Sequence, residues 1–144
     1  MNQYVKFSNE FQKKLNDFPM FFAFSDKQFE EGMKKFGLDP DRDLDKIARI
    51  PGGGFIKKTD SKALKDLFNE KERRFQELFE GDESGEGFIK DMFEYELGNH
   101  EYGYTHDLSD TLDALGYTSE DIKNNEKLSR GLQLAVYEVL SWDD

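Results

Sequence analysis

The sequence predicts an α+β fold that is mostly helical, with a small N-terminal three-stranded antiparallel sheet and an all-helical C-terminal half. Three observations lead there. Short aromatic and β-branched runs bounded by Pro, Ser and Gly occur only before residue 60. Apolar residues recur three and four apart almost everywhere else. The charge changes character near residue 81: residues 1–81 carry 16 Lys and Arg against 15 Asp and Glu, whereas residues 82–144 carry 4 against 16.

In Tyr4 to Phe18, Phe7, Phe11 and Leu15 stand four apart, which predicts a helix ended by Pro19. Met20-Phe-Phe-Ala-Phe24 reads as a buried strand. Ser25 with Gln28 three residues later has the form of a capping box. Phe29, Met33 and Phe36 make the stripe of the helix it opens, and Gly37 is its stop. The polar run Asp39 to Asp45 is a loop, and the segments Lys46 to Ile50 and Phe55 to Lys58 form a hairpin across a four-residue connection, Pro51 to Gly54. The longest helix begins at Asp60 or Ser61 and reaches Phe79, with Leu64, Leu67, Phe68, Phe75 and Leu78 inward. Gly81 to Gly87 reads as a flexible acidic connection. The stripe Phe88, Ile89, Met92, Phe93, Leu97 predicts a helix ending at Gly98, followed by a Tyr/Gly/His loop from Asn99 to His106. Leu108, Leu112 and Leu115 define a short helix closed by Gly116, Thr118 and Asp121 a further capped turn, and Leu128, Leu132, Val136 and Val139 the final helix from about Asn125 to Trp142.

A length of 144 residues fits a single domain, residues 1–144, with the Gly81–Gly87 break marking off a sheet-plus-helix lobe (1–81) from an acidic helical lobe (82–144). Cysteine is absent, so disulfide and thiolate chemistry are excluded. No signal-peptide pattern opens the chain, and the longest apolar run is too short to span a bilayer, so a cytoplasmic location is expected. A net charge of −11 disfavours direct contact with nucleic acid or an anionic membrane and favours a basic protein partner or a metal cation. The oligomeric state is not legible.

Between Asp91 and Ile122 there is no Lys or Arg, but there are nine carboxylates, both histidines and four of the six tyrosines. Gly98-Asn99-His100-Glu101 matches a metal-binding motif of dinuclear phosphoesterases, but the upstream Asp-x-His and Gly-Asp-x-x-Asp motifs are missing. His100, Glu101, His106 and Asp107 have the donor types of a single divalent-metal site. Two calcium-loop registers fail: from Asp39, position 12 is Ile50, and from Asp82 it is Phe93. Pro51-Gly-Gly-Gly54 lacks the register of a phosphate-binding loop. Asp110 to Ile122 has a helix-turn-helix cadence, but its second helix begins with Glu120 and Asp121, the wrong sign for reading DNA. No nucleophile motif and no catalytic pair emerges.

The sharper alternative to an ordinary solvated surface is electrostatic imitation of nucleic acid. A rigid face of carboxylates can occupy a basic cleft and is steered to it quickly. The expected function is therefore a non-enzymatic acidic binding protein that engages a basic, nucleic-acid-binding partner through Glu94, Glu101, Tyr102, Tyr104, Asp107, Asp110 and Asp113. The alternative is a small metal-binding protein or metal-dependent hydrolase centred on His100, Glu101, His106 and Asp107.

Met20-Phe-Phe-Ala-Phe-Ser-Asp-Lys-Gln-Phe-Glu-Glu-Gly-Met33, Gly53-Gly-Phe-Ile-Lys-Lys-Thr-Asp60 and the stretch from Glu96 to Gly116 resemble a family of small uncharacterised acidic proteins of phages and mobile elements in Gram-positive bacteria. The resemblance spans most of the chain. It implies a host-interaction or anti-defence role and carries over no catalytic residue.

Overall fold

The computed structural model describes residues 1–142. Eight helices and three strands follow the expected α+β pattern: α1 (Gln3–Asn16), β1 (Phe21–Phe22), α2 (Asp26–Lys35), β2 (Ile47–Ile50), β3 (Gly54–Lys57), α3 (Ser61–Gly81), α4 (Phe88–Asn99), α5 (Tyr102–Thr105), α6 (Ser109–Leu115), α7 (Ser119–Lys123) and α8 (Glu126–Ser141). They group into two compact units. One comprises Lys13–Glu72; the other comprises Met1–Gln12 with the chain from Arg73 onward. The divisions fall inside α1 and α3.

In the unit of Lys13–Glu72 the strands are ordered β1-β3-β2, all antiparallel, with Phe21 opposite Phe55 and Ala48 opposite Ile56. Ile50 pairs with Gly54, so the hairpin connection is three residues, not four. Gly52 and Gly53 both take positive φ, which turns the chain tightly enough for Gly54 to rejoin the ladder. Phe21, Met33 and Ile47 form the buried centre, with Phe29, Phe36 and Phe55 packed around it. Phe21 stacks on Phe55 at 5.2 Å between centroids and meets Phe36 edge-on at 5.0 Å. Ser25 caps α2 by accepting from the Gln28 amide, while the Gln28 side chain accepts from the Phe24 amide rather than from that of Ser25. Gly37 closes α2 with paired bonds from Gly37 N to Lys34 O and Leu38 N to Met33 O.

The other unit is built around α4. Ile89, Met92, Phe93 and Leu97 interlock with Leu128, Leu132, Ala135 and Val139 of α8. Phe88 is met by the rings of Tyr4, Phe7 and Phe75 at 6.0, 6.0 and 5.5 Å. The start of α1 is tied to α4 by Asn2 Nδ2 donating to Asp91 O (2.8 Å) and Gln3 N donating to the Asp91 carboxylate (2.8 Å). The glycine-rich connection before α4 is not a free linker. The Asp82 carboxylate accepts from the amides of Gly85 (3.1 Å), Gly87 (3.2 Å) and Ile89 (2.9 Å), and Lys127 Nζ donates to the carbonyls of Phe79 and Glu80 that end α3. Charge-assisted bonds of this kind satisfy helix ends that would otherwise leave unpaired backbone groups.

Two boundaries depart from expectation. α4 runs through Gly98 to Asn99, and Gly98 lies close to the Trp142 ring, where a Cβ would stand 3.3 Å away. The residues after it, expected to be loop, contain the single-turn helix α5, flanked by Glu101 and His106 in left-handed backbone conformation. That conformation is uncommon for residues other than glycine.

The closeness of α4 and α8 yields a sign test. A Cβ on Gly131 would stand 2.7 Å from Ile89 Cγ2 and 2.8 Å from Gly85 O. Gly131→Ala is expected to lower stability by about 1–3 kcal/mol through overpacking, although alanine in an open helix position gains about 1 kcal/mol over glycine. Gly81, with nothing within 4 Å, provides the contrast. Gly81→Ala should stabilise by up to about 1 kcal/mol. Urea denaturation of both variants measures the difference, and a stabilised Gly131→Ala would contradict the packing.

Candidate binding surface

The acidic region is α4 to α7, and the structure divides its carboxylates into two kinds. Those on α4 are engaged. Asp91 holds α1, as described. Glu94 is half-buried and lies 3.5 Å from Lys90 one turn earlier, so it does not belong to an unneutralised surface. Glu96 accepts from the Tyr4 hydroxyl at 3.3 Å. Its other oxygen lies 3.3 Å from His100 Nε2. That contact is close enough for attraction when the imidazole is charged, but Nε2 is a buried nitrogen lacking an aligned hydrogen-bond partner. The hydroxyl of Thr111, a fully buried polar residue, reaches Glu96 O at 3.4 Å. Burial first, and then the neighbouring Glu96 carboxylate, push the Tyr4 hydroxyl pKa up to about 12.

The carboxylates of α5 to α7 and their flanks point to solvent. Glu101, Asp107, Asp110, Asp113, Glu120 and Asp121 are all exposed. Asp107 accepts from the Ser109 amide at 2.8 Å, and its own amide donates to Thr105 Oγ1 at 3.2 Å. The Ser109 amide and then its hydroxyl hold the Asp107 carboxyl below the ordinary aspartate range. Asp121 completes a capping box with Thr118. Glu120 has Lys123 at 4.0 Å. Glu101, Asp110 and Asp113 form no ion pair with Lys or Arg among the described residues.

The two tyrosines singled out by sequence part company. Tyr102 packs inward against the α4–α8 core and lies 5.9 Å from the His106 ring, whereas Tyr104 is 89% exposed. An open groove lies along α5, α6 and the start of α7, lined by Tyr102, His106, Asp107, Leu112, Asp113 and Tyr117 among others. Three residues of the expected binding set, Tyr102, Asp107 and Asp113, meet there with His106, which was expected as a metal ligand. Glu94, Glu101, Tyr104, Asp110 and His100 do not line it.

The two histidines separate. His100 belongs to the end of α4 beside Glu96, and His106 to the groove. Among the described residues no three or more His, Asp or Glu side chains are placed to hold a metal ion. The expected centre at His100, Glu101, His106 and Asp107 is therefore not assembled: His100 lies beside Glu96, whereas His106 and Asp107 line the groove. The calcium-like registers are accounted for in the same way. The Asp82 carboxylate faces three backbone amides, and Asp39 Oδ1 accepts from the amides of Asp41 and Arg42. The helix-turn-helix cadence becomes two short helices, α6 and α7, the second only five residues long.

Glu96 and Tyr4 escaped the sequence reading. The Glu96–His100 spacing of four residues would have shown a pair on one helix face had α4 been carried past Gly98. The Tyr4 contact spans 92 residues and had no local signal.

A model of the family of unknown function DUF7659 matches residues 3–138. The chain belongs to that family. No curated protein and no solved structure matches it. In this family member no helix among the described residues is long and apolar enough to cross a membrane.

The Tyr4–Glu96 contact has a measurable signature. A tyrosine pKa raised from 10.0 to about 12 means that the unfolded chain loses this proton before the folded one. The contribution is intact below pH 10 and is lost as pH rises towards 12. Absorbance titration should show a late component that Tyr4→Phe removes, and Tyr4→Phe should flatten the alkaline fall in stability. An unchanged titration curve would contradict the assignment.

Proposed function

We propose that this DUF7659 member is a non-enzymatic binding protein whose acidic α5–α7 region engages a basic protein, of the class that itself binds nucleic acid. Supporting this reading is one observation above the others: Glu101, Asp110 and Asp113 are exposed and have no cationic partner among the described residues. Surface carboxylates left unneutralised produce a local negative potential that steers a basic partner. Duplex DNA carries about one negative charge per 1.7 Å of axis, so such a surface competes with DNA or RNA for a basic cleft. In this proposal the protein acts in the cytoplasm for a phage or mobile element, occupying a host protein's nucleic-acid site as a host-interaction or anti-defence factor.

The test is capture of a basic partner from host extract, identified by mass spectrometry, against the triple variant Glu101→Lys, Asp110→Lys, Asp113→Lys. Capture should fall by about tenfold or more, since each lost charge pair at an interface is worth on the order of 1 kcal/mol or more. The wild-type interaction should also weaken steeply with salt. The helical circular dichroism should be unchanged, because none of the three side chains holds a described tertiary contact. Undiminished capture by the variant would overturn the reading.

A further inference from the structure

The α5–α7 groove has a lining that narrows the chemistry of its occupant. Tyr102 and Tyr117 supply aromatic faces, Leu112 an apolar wall, and Asp107 and Asp113 two carboxylates, with neither Lys nor Arg in the lining. Asp107 is also held in place, by bonds from its own amide to Thr105 and from the Ser109 amide to its carboxylate. A prepositioned acceptor loses little freedom on binding. A phosphate or carboxylate entering here would meet charge of its own sign. A purely apolar side chain would bury the carboxylates without a partner, which is unfavourable. A lysine ammonium can sit over an aromatic face, but it is a point charge and offers no planar fork to two carboxylates. A guanidinium satisfies both, since it stacks on aromatic rings and donates a planar fork of N–H groups to carboxylate oxygens.

We propose that this groove seats an arginine side chain, presented on an exposed segment of the basic partner, with its plane against the tyrosine faces and its N–H groups directed to Asp107 and Asp113. The assignment rests on the acidic-binding reading above and sharpens it: the partner is recognised by arginine and not by positive charge in general.

The experiment titrates the intact protein with a short arginine–glycine repeat peptide and with its lysine–glycine counterpart, by calorimetry and by amide chemical shifts. Two neutralising variants accompany it: Asp113→Asn inside the groove, and Glu83→Gln, exposed but outside both the lining and the acidic α5–α7 region. The arginine peptide should bind more tightly than the lysine peptide and shift the amides of residues 102–119. Asp113→Asn should weaken the arginine peptide by about tenfold, the loss of one charged hydrogen bond, and Glu83→Gln by no more than about twofold. Equal affinity for the two peptides, or equal losses from the two variants, would overturn the arginine seat while leaving a diffuse acidic surface intact. Binding of neither peptide would overturn the seat and the acidic-binding reading together.

Discussion

The contact between α4 and α8 is the constraint on which the C-terminal architecture depends. α4 buries a broad apolar face: Phe88, Ile89, Met92, Phe93 and Leu97 are all buried. A face of that width must be covered by other elements. α8 covers one side with Leu128, Leu132, Ala135 and Val139, and the rings of Tyr4, Phe7 and Phe75 cover Phe88. Burial of each large side chain contributes roughly 1.5–3 kcal/mol, and no other cluster in this unit collects as many. Gly131 lets the two backbones approach closely enough for that burial.

Enclosing α4 sorts the negative charge. Its own carboxylates cannot be left bare near a core, and each has found a partner: Asp91 the start of α1, Glu94 Lys90, Glu96 Tyr4 and the His100 ring. The short helices α5 to α7 wrap the same core with Tyr102, Leu108, Leu112, Tyr117 and Ile122, which leaves their polar sides outward. With no Lys or Arg between residues 91 and 122, those outward sides hold unneutralised acids. Thus the charge asymmetry legible along the chain becomes a surface property only because the apolar residues between the acids are drawn onto α4.

Local features were read where the signal was local. The Ser25 and Thr118 caps, the Gly37 and Gly116 stops, the stripes of α4 and α8 and the hairpin around Pro51 each depend on residues within four or five positions of one another, whereas Phe68, expected inward on α3, is exposed. Gly98 misled because a glycine near the end of a stripe ordinarily stops a helix, whereas here the helix continues to Asn99 and the glycine lies against the Trp142 ring, 44 residues away. The metal quartet misled for a related reason. Donor type and spacing do not say whether side chains converge, and among the described residues no three of these do.

The amino-acid order alone determined the helix and strand pattern, the absence of thiol chemistry and the placement of negative charge in the last 63 residues, because periodicity, composition and charge are properties of neighbouring positions. Which carboxylates remain bare, which are used as internal fastenings and which meet the tyrosines in one groove were decided only by the tertiary structure. Those outcomes depend on pairings across 15 to 92 residues, such as Thr111 with Glu96 and Tyr4 with Glu96, and chain spacing carries no record of contacts that form only when α4 is buried.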